Sequence, residues 1–158
     1  MAVMMTEREA VLSGALPKGW HAYMNITLDY IGEMLGSEGV EQYLTEFANE
    51  YYALEMANIT VSGLLGMQRF IEDLYRVEGC AECVNTVLKQ EGLIVEVSRC
   101  PALYEITTAG YKPSRWFVMT TSVVYGRLAQ MAGLHFSLLR YDEETGAAAF
   151  SFAKGGSI

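Results

Sequence analysis

Apolar positions recur at helical spacing through the first half of the chain. Between residues 20 and 35, Tyr23, Ile26, Tyr30, Ile31 and Met34 fall roughly on one helical face. Gly36 ends that segment, and Ser37 or Glu38 restarts the chain. Val40, Tyr43, Leu44, Phe47, Ala48, Tyr51 and Leu54 then follow helical spacing, with Glu38, Glu41, Gln42, Glu46 and Glu50 on the opposite face. The run 58–63 holds weaker helix formers and predicts an interruption. A third helix follows, with Leu64, Met67, Ile71, Leu74 and Tyr75 inward and Arg69, Glu72, Asp73 and Arg76 outward. Gly79 is its natural stop.

After Gly79 the period shortens to two. Val84, Thr86 and Leu88 alternate with Asn85 and Lys89. Glu91-Gly92 reads as a turn, and Leu93, Val95 and Val97 alternate with Glu96 and Ser98, which predicts a β-hairpin. Cys100-Pro101 opens a short helix or turn that ends near Gly110. Pro113-Ser114 starts another helix, 115–131, whose apolar residues lie on most sides, so it is expected to be central and buried. Gly133 ends it, and 134–141 and 147–153 form a second hairpin around 142–146.

Helices segregated from strand pairs predict an α+β domain: an N-terminal helical layer on an antiparallel sheet of two hairpins, with one central buried helix. The expected organisation is an arm (1–19), one ligand-binding domain (20–153) and a short tail (154–158). The chain's 158 residues suit one domain able to bury a core without disulfide staples.

The net charge is −8, from 11 basic and 19 acidic residues, and this argues against nucleic acid as a partner. The average hides a division. Residues 29–55 hold seven acidic groups and no basic one. Residues 97–141 hold five basic groups (Arg99, Lys112, Arg115, Arg127 and Arg140) against Glu105 alone. Such a stretch is either a solvated face or a pocket for a small carboxylate, built around Arg99, Arg115 and Arg140.

The start of the chain lacks the basic-then-apolar order of a signal peptide. No apolar stretch reaches the roughly 18–20 residues that span a bilayer. The expected compartment is therefore the cytoplasm, with no membrane partner. Asn25-Ile26-Thr27 and Asn58-Ile59-Thr60 then read as chance matches to the glycosylation pattern.

Cys80-Ala81-Glu82-Cys83 is a CxxC that follows a helix and precedes a strand, the reverse of the thioredoxin arrangement. A zinc site needs two more ligands, and Cys100, His21 and His135 are the candidates, at no common spacing. Two ordinary cysteines are the expectation. Cys100 ends a strand and precedes a helix with proline at its first position, beside Arg99; both neighbours favour a thiolate. A nucleophile and a buried structural cysteine both fit that placement. His21 and His135 stand alone, without triad spacing. The ten tyrosines, nine methionines and Trp116 read as core that could also line an adaptable apolar pocket.

Three landmarks carry a family likeness. They are the strand into Val97-Ser98-Arg99-Cys100-Pro101, the helix with Tyr125-Gly126-Arg127-Leu128-Ala129, and the strand pair ending Phe150-Ser151-Phe152. Their order over residues 26–152 resembles the L-2-amino-thiazoline-4-carboxylic acid hydrolase-like family. More loosely, it resembles the 4-vinyl reductase domain and its relatives in nitric-oxide signalling and Golgi transport, which are small-ligand-binding α+β domains. The resemblance implies hydrolytic opening of a cyclic thiazoline, with Cys100 matching the family's cysteine before the helix. The family's polar cluster before the last Phe-x-Phe is here Ala147-Ala148-Ala149, and its helical cysteine and aspartate fall at Thr121-Ser122-Val123-Val124.

Ring opening needs an activated nucleophile or water and a proton donor. The leading expectation is therefore a non-catalytic binder of a small acidic or apolar ligand, contacted by Arg99, Arg115, Trp116, Tyr125, His135 and Arg140. The alternative is a hydrolase using Cys100, with Glu105, Tyr125 or His135 carrying protons. A third reading, from the 4-vinyl reductase likeness, is a haem or tetrapyrrole binder; otherwise no cofactor or metal is expected. Surplus aromatic and Met residues between 26 and 75 suggest a homodimer.

Overall fold

A computed structural model of the chain describes residues 19–155. Most of the expected arm (1–18) and the last residues (156–158) lie outside the described residues. The first helix, α1 (Trp20–Tyr51), bends at Gly36, whose φ of 69° and ψ of −169° leave the helical region. The glycine thus separates 20–35 from 37–51, as its place in the sequence predicts. In 37–51, Val40, Leu44 and Ala48 are buried while Glu38, Glu41, Glu46 and Glu50 face solvent.

The first half of α1 reverses the expected face. Tyr23, Ile26, Tyr30 and Met34 are 69%, 50%, 66% and 66% exposed, and the buried set is Ala22, Met24, Asn25, Leu28 and Gly32. Small residues explain the choice. A Cβ at Gly32 would overlap the Trp116 indole, so only glycine lets that ring lie against the helix backbone.

The second helix, α2 (Ala53–Val77), starts after a break at Tyr52. Residues 58–62 are helical, which corrects the expected interruption; the bend comes at Gly63, with φ 64°. The polar side chains there bond back to the helix's own carbonyls. Thr60 donates to the Met56 carbonyl at 2.8 Å and Ser62 to the Asn58 carbonyl at 3.0 Å. Leu64, Met67 and Ile71 point inward as expected. At the end, the Cys80 N–H donates to the Tyr75 carbonyl (2.9 Å) and Gly79 N–H to that of Arg76 (3.0 Å), a Schellman close with Gly79 at φ 69°.

A 3₁₀ turn (Ala81–Cys83) leads into the sheet. The four strands are β1 (Val84–Leu88), β2 (Gly92–Val97), β3 (Leu134–Tyr141) and β4 (Ala148–Lys154). All neighbours are antiparallel in the order β1-β2-β4-β3, so two hairpins join through β2 and β4. Leu93, Val95, Val97, Ala148, Phe150 and Phe152 are buried in the core. Lys154, expected in the tail, is paired with Leu134 and ends β4.

Between the hairpins lie α3 (Pro101–Thr108) and α4 (Met119–Met131). The helix expected from Arg115 starts at Met119, because the preceding residues form tighter turns. Phe117 N–H donates to the Ser114 carbonyl at 3.0 Å and Met119 N–H to that of Trp116 at 2.9 Å. Packed between α1 and β3, α4 is the central helix of an α+β fold with an N-terminal helical layer. Among the described residues, no helix is long and apolar enough to cross a membrane.

Candidate functional site

Where the helical layer meets the two crossing helices, packing leaves a cavity of about 210 Å³. The α1 helix contributes Trp20, His21, Met24, Leu44, Phe47 and Tyr51. Tyr52 sits at the α1–α2 break, and Leu74, Tyr75 and Glu78 come from the end of α2. Cys100, Pro101 and Ala102 come from the start of α3. Phe117, Thr120, Thr121, Val124, Tyr125 and Leu128 complete the wall.

Tyr125 is anchored on the sheet. Its ring stacks on Phe150 with centroids 5.0 Å apart and meets Phe152 edge-on at 6.2 Å. Its hydroxyl makes no hydrogen bond to another described residue, and burial pushes its pKa well above the usual range. Burial, then the carboxylates of Glu55 and Glu78, pushes Tyr52 up to about 12. Tyr75 rises too, through burial and then Cys100, Tyr141 and Glu78. These phenols stay protonated and can donate hydrogen bonds into the cavity.

Cys100 is the N-cap residue of α3, with Pro101 in the first turn. Its N–H donates to the Thr145 carbonyl at 2.9 Å, fixing it against the β3–β4 turn. A Cβ at Gly146, where φ is 69°, would overlap that of Cys100, so this approach also requires glycine. The expected thiolate is not favoured. Burial pushes the thiol up, outweighing the pull of the Leu103 and Ala102 amides, and Glu78 pushes the same way. The Arg99 guanidinium lies elsewhere, 4.7 Å from the Tyr104 ring and 3.9 Å from Glu82.

The polar groups gather at one side. His21 Nε2 lies 3.0 and 3.1 Å from the two Glu78 oxygens and 3.7 Å from Glu105. His21 is there because α1 begins at Trp20, and Glu78 because the Schellman close turns the chain beside it. The three ligand atoms lie within 4.8 Å of one another, a set able to hold a metal ion. A second such group, Cys80, Glu82 and Cys83, is already committed. Correcting the ordinary-cysteine expectation, Cys80 and Cys83 form a disulfide with Cα atoms 5.3 Å apart. The 3₁₀ turn draws them together, with Cys83 N–H donating to the Cys80 carbonyl at 2.9 Å.

Of the residues expected to form a site, the fold brings Cys100 and Tyr125 together and disperses the others. Trp116 is buried against Gly32, and its neighbour Phe117 lines the cavity instead. Arg115 stacks its guanidinium 4.0 Å from the Trp116 ring and lines a separate open cleft with Lys112, Glu143 and Glu144. His135 is exposed, on the sheet face opposite Phe136. A bulge between Leu138 and Arg140 lets Arg140 pair with Ala149 and stay exposed as well. The expected arginine-built anion pocket is therefore not assembled. Trp20, Tyr52 and Glu78 escaped the sequence reading, which placed Tyr75 on an inward helix face and weighed His21 as a zinc ligand or a lone histidine. The one local signal was Gly79, whose helix stop places Glu78 on the turn.

Fold and cavity together define a single α+β domain with an apolar, phenol-lined pocket and an acidic flank. No family model, curated protein or solved structure matches the chain.

Proposed function

We propose that this protein is a small-molecule-binding domain of the L-2-amino-thiazoline-4-carboxylic acid hydrolase-like kind, acting in the cytoplasm without hydrolase activity. The observation that carries the reading is the cavity itself. A space of about 210 Å³ walled by seven aromatic rings suits an apolar ligand. Its size favours a ligand built on one ring, since a cavity of about 150 Å³ accepts a benzene. A tetrapyrrole is far larger. The ligand carries an apolar ring and is not acidic, because the arginines lie outside the cavity.

Two features support a non-catalytic role. Cys100 is held as a thiol, and Ala148 and Ala149 pair within the sheet where the family carries polar groups. The assembly is a homodimer. The exposed stripe of Tyr23, Ile26, Tyr30 and Met34 runs along α1 and is the surface on which a second copy would bury apolar area.

The test is a titration of single-ring compounds followed by intrinsic fluorescence, because Trp20 lines the cavity. Thr121→Trp, which fills the space, serves as the control. Binding that the filled variant loses is the expected result. Absence of any binder, or Cys100-dependent turnover of a cyclic thiazoline carboxylate, would overturn the reading.

A further inference from the structure

The charges around the cavity say more about its ligand than its volume does. Among the described residues, no lysine or arginine lines the cavity. Two basic side chains next in sequence to lining residues are engaged elsewhere: Arg99 with Glu82 and Tyr104, and Arg76 with Asp73 at 3.1 Å. The charged groups that converge on its flank are His21 from α1, Glu78 from the end of α2 and Glu105 from α3. Two carboxylates face one imidazole, so the trio is net negative whether His21 is protonated or neutral. Glu78 is half in the wall and half in this trio.

The walls fit the same sign. Trp20, Tyr52, Tyr75 and Tyr125 line one small space. The faces of aromatic rings are negative and attract a cation within about 6 Å of the centroid. A carboxylate ligand would meet two carboxylates on the flank, with no guanidinium among the described lining residues to pair it. A neutral ligand would add no partner to Glu78 beyond His21.

Resting on the reading of the cavity as a ligand pocket, we infer that its ligand is an arylalkyl ammonium ion. One ring lies among the aromatic walls, and the ammonium is held by Glu78 with Glu105 behind it. The volume sets the size. About 150 Å³ holds a benzene, so 210 Å³ admits one ring with a short aminoalkyl arm. His21 positions Glu78, with its ring nitrogen between that carboxylate and Glu105.

The test compares three near-isosteres on the intact protein by calorimetry and thermal shift: 2-phenylethylamine, 2-phenylethanol and phenylacetate. Expected is an affinity order of amine, then alcohol, then carboxylate, with at least about tenfold between the first two. Glu78→Gln is expected to erase the amine's advantage while leaving alcohol binding within about twofold. Glu105→Gln is expected to reduce that advantage by a smaller factor. Unchanged alcohol binding also certifies that each variant is folded. If phenylacetate or the alcohol binds as tightly as the amine, the inference falls and the pocket reading stands. An amine preference that survives in Glu78→Gln also defeats the inference. If none of the three binds, the pocket reading itself fails.

Discussion

The Asn25 side chain holds the Ser114 backbone: its Oδ1 accepts the Ser114 N–H at 2.7 Å, and its Nδ2 donates to the Lys112 carbonyl at 3.0 Å. Only 2% of Asn25 is exposed, so both bonds are made away from water. They tie the first turns of α1 to the chain entering α4, across 89 residues. Asn25→Ala leaves a buried N–H and a carbonyl unpaired. It is expected to lower stability by about 1–3 kcal/mol in urea unfolding. A change below about 0.5 kcal/mol would contradict this. The same burial agrees with Asn25-Ile26-Thr27 being a chance glycosylation match.

Tyr125 separates ring from hydroxyl. Its ring stacks on Phe150, but among the described residues its hydroxyl holds no protein partner. Tyr125→Phe is therefore expected to change stability by less than about 1 kcal/mol. Tyr125→Ala, which removes the ring, is expected to cost about 3–5 kcal/mol. Equal losses in the two variants would show that the hydroxyl is satisfied in the folded protein.

Alkaline pH loads the tyrosines and the thiol in one direction. Burial raises Tyr52, Tyr75, Tyr125, Tyr141 and Cys100 above their ordinary values. The unfolded chain then loses protons first, near pH 8.5 for cysteine and about 10 for tyrosine. The stabilisation is complete below those values and is lost as pH rises toward the folded pKa, about 12 for Tyr52. Melting temperature is expected to be flat in this respect to about pH 8.5 and to fall steeply above 10. Each tyrosine contributes roughly 1 kcal/mol per pH unit there. Absorbance at the phenolate band should show these tyrosines ionising only with unfolding.

Thiol chemistry distinguishes the three cysteines. With Cys80 and Cys83 bonded, Ellman titration in denaturant is expected to find one thiol before reduction and three after. In the folded protein Cys100 should alkylate more slowly than free cysteine at neutral pH, since burial raises its pKa and reduces the thiolate. Fast alkylation of Cys100 would restore the nucleophile reading.

The α1 stripe gives a test of assembly. The chain is expected to run at twice its 17.5 kDa mass in light scattering. Tyr30→Glu, exposed and outside the core, is expected to return it to monomer with little change in helical content. A wild-type monomer at micromolar concentration would remove the dimer.

The strands were legible because alternation has only two outcomes. Leu93, Val95 and Val97, and Phe150 and Phe152, leave no doubt about which side is buried. Gly36 and Gly79 marked a bend and a stop that the backbone obeys. The face of α1 was not legible, because 20–35 carries apolar residues on both sides. Bulk favoured Tyr23 and Tyr30, while the close approach of Trp116 to Gly32 decided the packing. Within the candidate site, Cys100 was found from its place before a helix. His21, Glu78 and Glu105 lie far apart in sequence and meet only when α1, α2 and α3 converge. No local spacing encodes such a meeting.

The pairing of β2 with β4 sets an order on synthesis. Gly92 partners Ala153 and Val97 partners Ala148, so the two hairpins cannot join until β4 has left the ribosome. Tyr125 lies on Phe150 and Phe152, which are made after every described helix. A nascent chain stalled before β4 would carry every described helix and still lack the floor of its pocket. Ligand binding would then report that β4 is in place, and a stop before β4 would abolish it while sparing most of the described helical content.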